Sequence, residues 1–492
     1  MISRMRSRFT YLIIALIAIY IILLIPSSEP APPVVGESKA FAWQQDQYWS
    51  GLEARFREAH AQPCESLSMQ VKAGLAREQN LLAALSLQNF DPAAPVFAEI
   101  ETTFFALAPM IAACPSYLQS YVTLQSQLRA AVKEQSEKWN LSEAAARIRL
   151  YRLLYGSRAA VEEAMLQAPP DSLLALTWGE NEPSQTPATK ILGVTIHSGD
   201  ILVSRGGAPT SALIARGNDY PGNFSHIALV HVDENTGLAS IVEAHIERGV
   251  AISTLEEYLK DKKLRLLVLR LRADLPALVA KPMLPHQAAT QALQQIHEQH
   301  IPYDFEMNYR DHARLFCSEV ASAAYEKLDV NLWMGISHIS SPGVMSWLSA
   351  FGVKHFETQE PADLEYDPQL RVIAEWRDPE TLWQDHVDNA VIDAMLEGAE
   401  EGNRLEYAWH KLPLARMAKA YSFLLNAIGK VGPIPEGMSA TAALRNEQFS
   451  KTHLALKEKV LYGAKNFEQE KGYRPPYWEL VNFAREAIRV QS

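Results

Sequence analysis

Between residues 199 and 271 the chain carries four short runs, "GDILVS", "FSHIALVHV", "ASIVEAHI" and "LRLLVLRL", each dense in Val, Ile and Leu and separated by Gly, Asn and Asp turns. Branched side chains fit a pleated, half-buried surface and the turn residues end it, so these runs predict neighbouring strands. Polar residues stand inside them. His226 interrupts "FSHIALV", while Glu243 and His245 take alternate positions in "SIVEAHIERGV", which puts those two on one face of their strand. A buried imidazole or carboxylate needs a partner. If the strands pair as a hairpin through "DENTG", Glu243 is placed to accept a hydrogen bond from His226 and fix its tautomer. Taken singly, each residue also reads as an ordinary satisfied side chain, and His231 and His245 read as solvent-facing.

"HQAATQALQQIHEQH" and "RLFCSEVASAAYEKL" read as helices beside these strands, which predicts an α+β unit over residues 191–350. A chain of 492 residues exceeds one ordinary hydrophobic core, and helical signals flank the unit on both sides. Residues 40–167 predict a bundle punctuated by Pro63, Pro92, Pro109 and Pro115. Within it Leu141, Ala144, Ile148, Tyr151 and Tyr155 recur at helical spacing behind Asn140, a candidate cap with Glu143 three residues on. Such a bundle is either a surface for partners or substrate gating, or a purely structural appendage. Residues 168–190 have the Pro, Ser and Thr content of a linker. Residues 351–492 predict a second helical region, with Asp378 capping a helix that has Pro379 at its first position.

The first 26 residues predict a membrane anchor, because Arg4, Arg6 and Arg8 precede the apolar run 9–25, which is just long enough to span a bilayer. The positive-inside rule then puts the bulk of the chain on the periplasmic or extracytoplasmic side of a single-pass inner-membrane protein, behind a Pro- and Ser-rich tether over 27–39. A cleaved signal peptide is the competing reading, although "AFA" at 40–42 lies far downstream. The composition, 48% hydrophobic and 21% charged, is that of a folded chain, and the net charge of −11 argues against nucleic-acid binding. An oxidising compartment pairs the cysteines it can. Pairing Cys64 with Cys114 leaves Cys317 over, and three buried thiols is the alternative.

Cys317 stands at the mouth of its predicted helix, whose Val320, Ala323, Ala324 and Leu328 fall on one apolar face. Unpaired amides and the helix dipole stabilise a thiolate there, and a first-turn amide can hold a developing oxyanion. A thiolate nucleophile further needs an imidazole and an acceptor to orient it. His226 and Glu243 supply those residue types.

The series "HSGDILVS", "FSHIALV", "IVEAHIERGVAISTLEEYL", "IPYDFEM" and "FCSEVASAAY" resembles the permuted papain-like cysteine hydrolases of the YiiX and YaeF type, relatives of the NlpC peptidases and of lecithin retinol acyltransferase. In that group the histidine strand precedes the cysteine helix, as it does here. The likeness covers about 195–330, with an extension through "YDPQLRVIAEWRDP". It implies a permuted papain-like core with an antiparallel sheet, Cys317 as nucleophile, His226 as general base and acid, and Glu243 as the orienting member. Tyr303 and Asp304 match the group's "YD" and Gly199 and Asp200 its "GD", so Tyr303, Asp304 and Asp200 become candidate substrate-binding residues; a turn is an equal reading of Tyr303 and Asp304, and Gly199 and Asp200 also serve as ordinary turn residues. No cofactor is implied.

The leading expectation is a thiol hydrolase that cleaves amides, with cell-wall peptides such as peptidoglycan as the substrate class. A lipid acyl hydrolase or acyltransferase using the same three residues is the alternative, and a non-enzymatic scaffold binding partners through its helical regions is another. Zinc held by His226, Glu243, His245 and Cys317 is disfavoured, because the short paired spacing of structural zinc sites is missing.

Overall fold

The computed structural model describes residues 14, 17–26, 39–44, 46–169 and 175–490. Residues 1–13, 15–16 and 27–38 of the expected anchor and tether, and 170–174 of the expected linker, lie outside the described residues. Over 17–24 the backbone is helical, and Ile17, Ile19, Ile21 and Ile22 are exposed.

Helices α1 (Asp46–His60), α2 (Cys64–Leu85), α3 (Pro95–Ala113), α4 (Leu118–Ser136) and α5 (Ala144–Gln167) form the N-terminal bundle. Its core is built from Val71, Phe97, Phe104, Leu128, Leu150 and Leu154. A disulfide joins Cys64, at the start of α2, to Cys114, just past α3, with the Cα atoms 5.1 Å apart. Among the described residues only α3 is long and apolar enough to cross a membrane, by length and composition alone. It packs against α1, α2 and α5 and buries Phe97, Ile100, Phe104 and Ile111, the situation of a core helix. Helix α5 starts later than the sequence suggests. Asn140 instead closes a turn, accepting from the Ser142 amide at 3.2 Å, and the inward face is Ala146, Leu150, Leu153 and Leu154 while Ala144 and Ile148 are exposed.

The centre is an antiparallel seven-stranded sheet. Its members are β1 (Leu176–Trp178), β4 (Ile201–Gly206), β5 (His226–Val232), β6 (Ala239–His245), β7 (Gly249–Thr254), β8 (Lys263–Leu271) and β11 (Leu370–Trp376), in the order β1-β11-β8-β4-β5-β6-β7. Two small ribbons accompany it, β2 (Ala188–Ile191) with β3 (Val194–His197), and β9 (Ser337–His338) with β10 (Glu357–Thr358). The sheet therefore runs past the expected boundaries, with β1 inside the expected linker and β11 beyond residue 350. Three residues of strand in a Pro- and Ser-rich segment leave too short a pattern to read.

Between these strands lie α6 (Pro209–Arg216), α7 (Leu255–Lys260), α8 (Pro276–Ala280), α9 (Leu284–Glu298) and α10 (Glu319–Glu326). Ala288 and Ala289 of α9 and Val320, Ala321 and Ala324 of α10 pack on the sheet face made by Ile201, Ile227, Leu229, Val242 and Leu269. His231 points to that face too. It is buried and stacked on His286 at 5.3 Å, which corrects its reading as a solvent-facing residue. Helices α11 (Pro342–Phe351), α12 (Pro379–Glu400), α13 (Leu412–Asn426), α14 (Ala440–Lys471) and α15 (Tyr477–Arg489) make the C-terminal region. Asp378 does cap α12, accepting from the amides of Glu380 at 3.0 Å and Thr381 at 3.1 Å, with Pro379 first in the helix.

Candidate active site

The β5–β6 hairpin sets the site. Its register pairs Ala228 with Glu243, so His226, two residues earlier on the same face, lies diagonal to that carboxylate. His226 Nε2 is 2.8 Å from Glu243 Oε2. The next strand repeats the offset: β7 pairs Ile241 with Ser253, and Ser253 Oγ donates to Glu243 Oε1 at 2.9 Å. His245 completes the ring around the carboxylate, with Nε2 at 3.2 Å from Oε1. It was expected in solvent, yet it lies beside His226, the two ring centroids 6.2 Å apart. Burial alone would raise the Glu243 carboxyl, but hydrogen bonds from His226 and His245, and their charges, hold it below its ordinary value. Glu243 is thus an anion, and it directs the other ring nitrogen of His226, Nδ1, away from itself.

Cys317 arrives from the opposite sheet face. Helix α10 starts at Glu319, with Ser318 as its cap residue, so the cysteine sits just ahead of the first turn. Glu319 reaches back to accept from the Phe316 amide at 2.9 Å, which fixes the entry of the chain into the helix. The thiol lies against the start of β5, 3.8 Å from the carbonyl oxygen of Ser225. The cysteine is 5% exposed, and burial pushes its thiol up to about 12, against a smaller pull from the Ile227 amide and the Ser318 hydroxyl and amide. Here burial outweighs the helix start, contrary to the expectation of a stabilised thiolate. A resting thiol of this kind needs a base to take its proton.

One cavity of about 800 Å³ brings the groups together: Ser225, His226, Glu243, His245, Tyr303 and Cys317 all line it. Its far wall is Pro433, Pro435, Met438 and Asn446 from the C-terminal region, so that region helps to enclose the site. A second cavity, of about 720 Å³ and walled by Trp43, Phe105, Tyr155 and Trp478, contains neither cysteine nor histidine.

The other sequence candidates divide. Tyr303 is at the cavity, its ring 5.0 Å from that of Phe305 and its hydroxyl held protonated by burial. Asp304 is buried and accepts from the amides of Glu306 at 3.0 Å and Asn308 at 2.7 Å, which makes it the organiser of a turn and not a wall of the cavity. Asp200 is also away from the site. It precedes β4, four residues from the cavity-lining Ser204, and holds Arg270 through contacts of 2.8 and 2.7 Å. Its neighbour Gly199 has φ +95°, and a Cβ there would lie 2.3 Å from Pro285 Cβ, so "GD" is a turn demanded by packing. Ser253 and Ser225 were not foreseen; a serine in a strand carries no signal until the register is known. Among the described residues no group of three or more His, Cys, Asp or Glu side chains is placed to hold a metal ion.

A histidine strand ahead of a cysteine helix, both on an antiparallel sheet, is the arrangement that the resemblance implied. Residues 195–374 match the family model described as permuted papain-like amidase enzyme, YaeF/YiiX, C92 family. This stretch is similar to the amidases of that family. The match ends inside β11, so it passes residue 350 and covers the first part of that strand and of the extension seen in the sequence. Comparisons with curated proteins and with solved structures give no match. Outside the matched stretch lie the N-terminal bundle and the helices α12 to α15.

Proposed function

We propose that the protein is a membrane-anchored, extracytoplasmic thiol hydrolase that cleaves amide bonds of cell-wall peptides through Cys317, His226 and Glu243. The observation that carries this reading is the shared cavity: a thiol, an imidazole and a carboxylate line it, and the imidazole is already tied to the carboxylate at 2.8 Å.

In the proposed cycle Nδ1 of His226 takes the thiol proton as the sulfur attacks the amide carbonyl carbon. The backbone amide of Cys317 steadies the resulting oxyanion. When the C–N bond breaks, the imidazolium gives its proton to the departing amine, leaving a thioester on Cys317. Water, losing a proton to the same imidazole, then attacks the thioester and releases a carboxylic acid and the regenerated thiol. Glu243 keeps the ring oriented and stabilises its positive charge throughout. Location supports the choice of substrate: an N-terminal run that spans the membrane with arginines inside leaves the cavity facing the wall.

The apolar part of the cavity wall, with Ile214, Ile246, Pro433 and Met438, favours acyl lipids as the second reading. One experiment separates them. Wild-type protein and Cys317→Ser are incubated in parallel with peptidoglycan fragments and with phospholipids, and products are followed by mass spectrometry. New amino termini released by wild type alone support the amidase reading, fatty acid supports the lipid one, and identical products from both proteins overturn Cys317 as nucleophile.

A further inference from the structure

Helix α13 turns its apolar side the wrong way for a protein surrounded by water. Leu412, Ala415 and Ser422 face inward, where Leu412 and Ala415 pack with Ile434, Met438 and Leu444. The outward stripe is Leu414, Met417, Tyr421, Leu424 and, just past the helix, Ile428, all exposed and spaced three and four residues apart. On a solvated helix that stripe is polar. Trp409, Phe423 and Val431, off that stripe, are exposed as well. Contiguous patches of this kind mark a contact.

Two further observations say what the contact is. The first is charge: residues 408–435 contain Lys411, Arg416, Lys419 and Lys430 and no Asp or Glu, with Lys411 paired to Glu447 at 3.0 Å and Lys419 donating to the carbonyl oxygens of Pro435 and Glu436. Basic residues flanking an apolar stripe with aromatic rings are the composition of helices that lie in the interface of an anionic bilayer. The second is position. The Arg416 guanidinium donates to the carbonyl oxygens of Ile22 at 3.3 Å, Leu23 at 3.0 Å and Ile25 at 2.7 Å, gripping the end of the apolar N-terminal run. Helix α13 is therefore fastened to the end of that run.

We infer that α13 lies in the membrane surface as a second, interfacial contact, its Leu414–Met417–Tyr421–Leu424 stripe seated among anionic phospholipids. This rests on reading residues 9–25 as the anchor. It adds an orientation that a tether alone cannot give. The chain from α13 to α14 supplies Gly432, Pro433, Pro435 and Met438 to the wall of the Cys317 cavity, so seating the helix holds that wall beside the bilayer. Substrate then reaches the thiol at the lipid–water boundary, which selects molecules attached to or lying on the membrane.

The test uses the full chain in vesicles of phosphatidylglycerol and phosphatidylcholine, in a Cys317→Ser background so that the disulfide leaves no other thiol. A bimane label is placed at Leu424→Cys, at Met417→Cys on the same stripe, or at Met69→Cys in the N-terminal bundle, where the native side chain is 80% exposed. Quenching by doxyl-labelled lipid should be roughly threefold or more stronger at 424 and 417 than at 69. Equal, weak quenching at all three in vesicles that carry the protein on flotation overturns the interfacial helix and leaves the anchor standing. Loss of flotation overturns both. Crosslinking of two copies through 424, without quenching, assigns the stripe to self-association and also overturns the inference.

Discussion

Two clusters of buried ionisable side chains, one where the N-terminal bundle meets the sheet and one at the start of β5, differ in what surrounds them. At the junction Arg158 of α5 pairs with Glu365 and Glu375, Arg129 of α4 approaches Glu375 at 3.0 Å, and Arg265 of β8 pairs with Glu162 and Asp385. Every one of these side chains is almost wholly removed from solvent. Burial alone would raise Glu162, yet Arg265 beside it holds the carboxyl down to about 2. At β5 the charges are fewer, but His226 is 21% exposed and opens on a cavity that also contains a thiol. Perturbed titration is common to both clusters, and the one at β5 opens on a cavity. Access, not the size of a shift, is what separates a catalytic cluster from an ionic weld.

The comparison can be broken from either side. Glu162→Ala leaves Arg265 without its bidentate partner, and we expect a loss of about 4 kcal/mol in denaturant unfolding, with the activity per folded molecule kept. Loss of activity without loss of stability would make the junction part of the site. Glu243→Gln should act chiefly on the chemistry, lowering kcat about 100-fold, a barrier change of about 2.7 kcal/mol, with a smaller loss of stability than Glu162→Ala. A third expectation concerns pH. With its thiol pushed up to about 12, Cys317 should be alkylated by iodoacetamide faster as pH rises, roughly tenfold per unit between 7 and 10, because the thiolate fraction grows tenfold per unit below the pKa. A rate that levels off near pH 7 would show that the resting cysteine is already ionised. The smallest effect is expected of Asp200→Asn. It weakens the hold on Arg270 and should change kcat/KM less than about twofold, since Asp200 is outside the cavity.

What the sequence made legible follows the range of the interactions. The β5–β6 hairpin is local: alternation in "SIVEAHIERGV" put Glu243 and His245 on one face, and a short turn left one plausible partner for His226. Cys317 is far from that hairpin along the chain, and joining it required the family likeness. The junction was invisible. Arg158 and Glu375 are 217 residues apart, and a charged residue on a helix reads by default as a solvated one. Lys133 of the bundle is a further case, donating to the backbone carbonyl of Asp367 at 2.8 Å deep inside the protein. The C-terminal wall of the cavity was equally hidden, because "GPIPEGM" has the composition of any surface loop.

The central claim, that His226 makes a buried thiol into a nucleophile at one shared cavity, is met most directly by intact-protein mass spectrometry after exposure to a thiol-directed acyl probe. The account predicts one acyl adduct on Cys317 in the wild-type protein and none in a folded His226→Ala variant whose thiol is still present. Equal acylation of the two proteins, or an unreactive Cys317 in folded wild type, would contradict it.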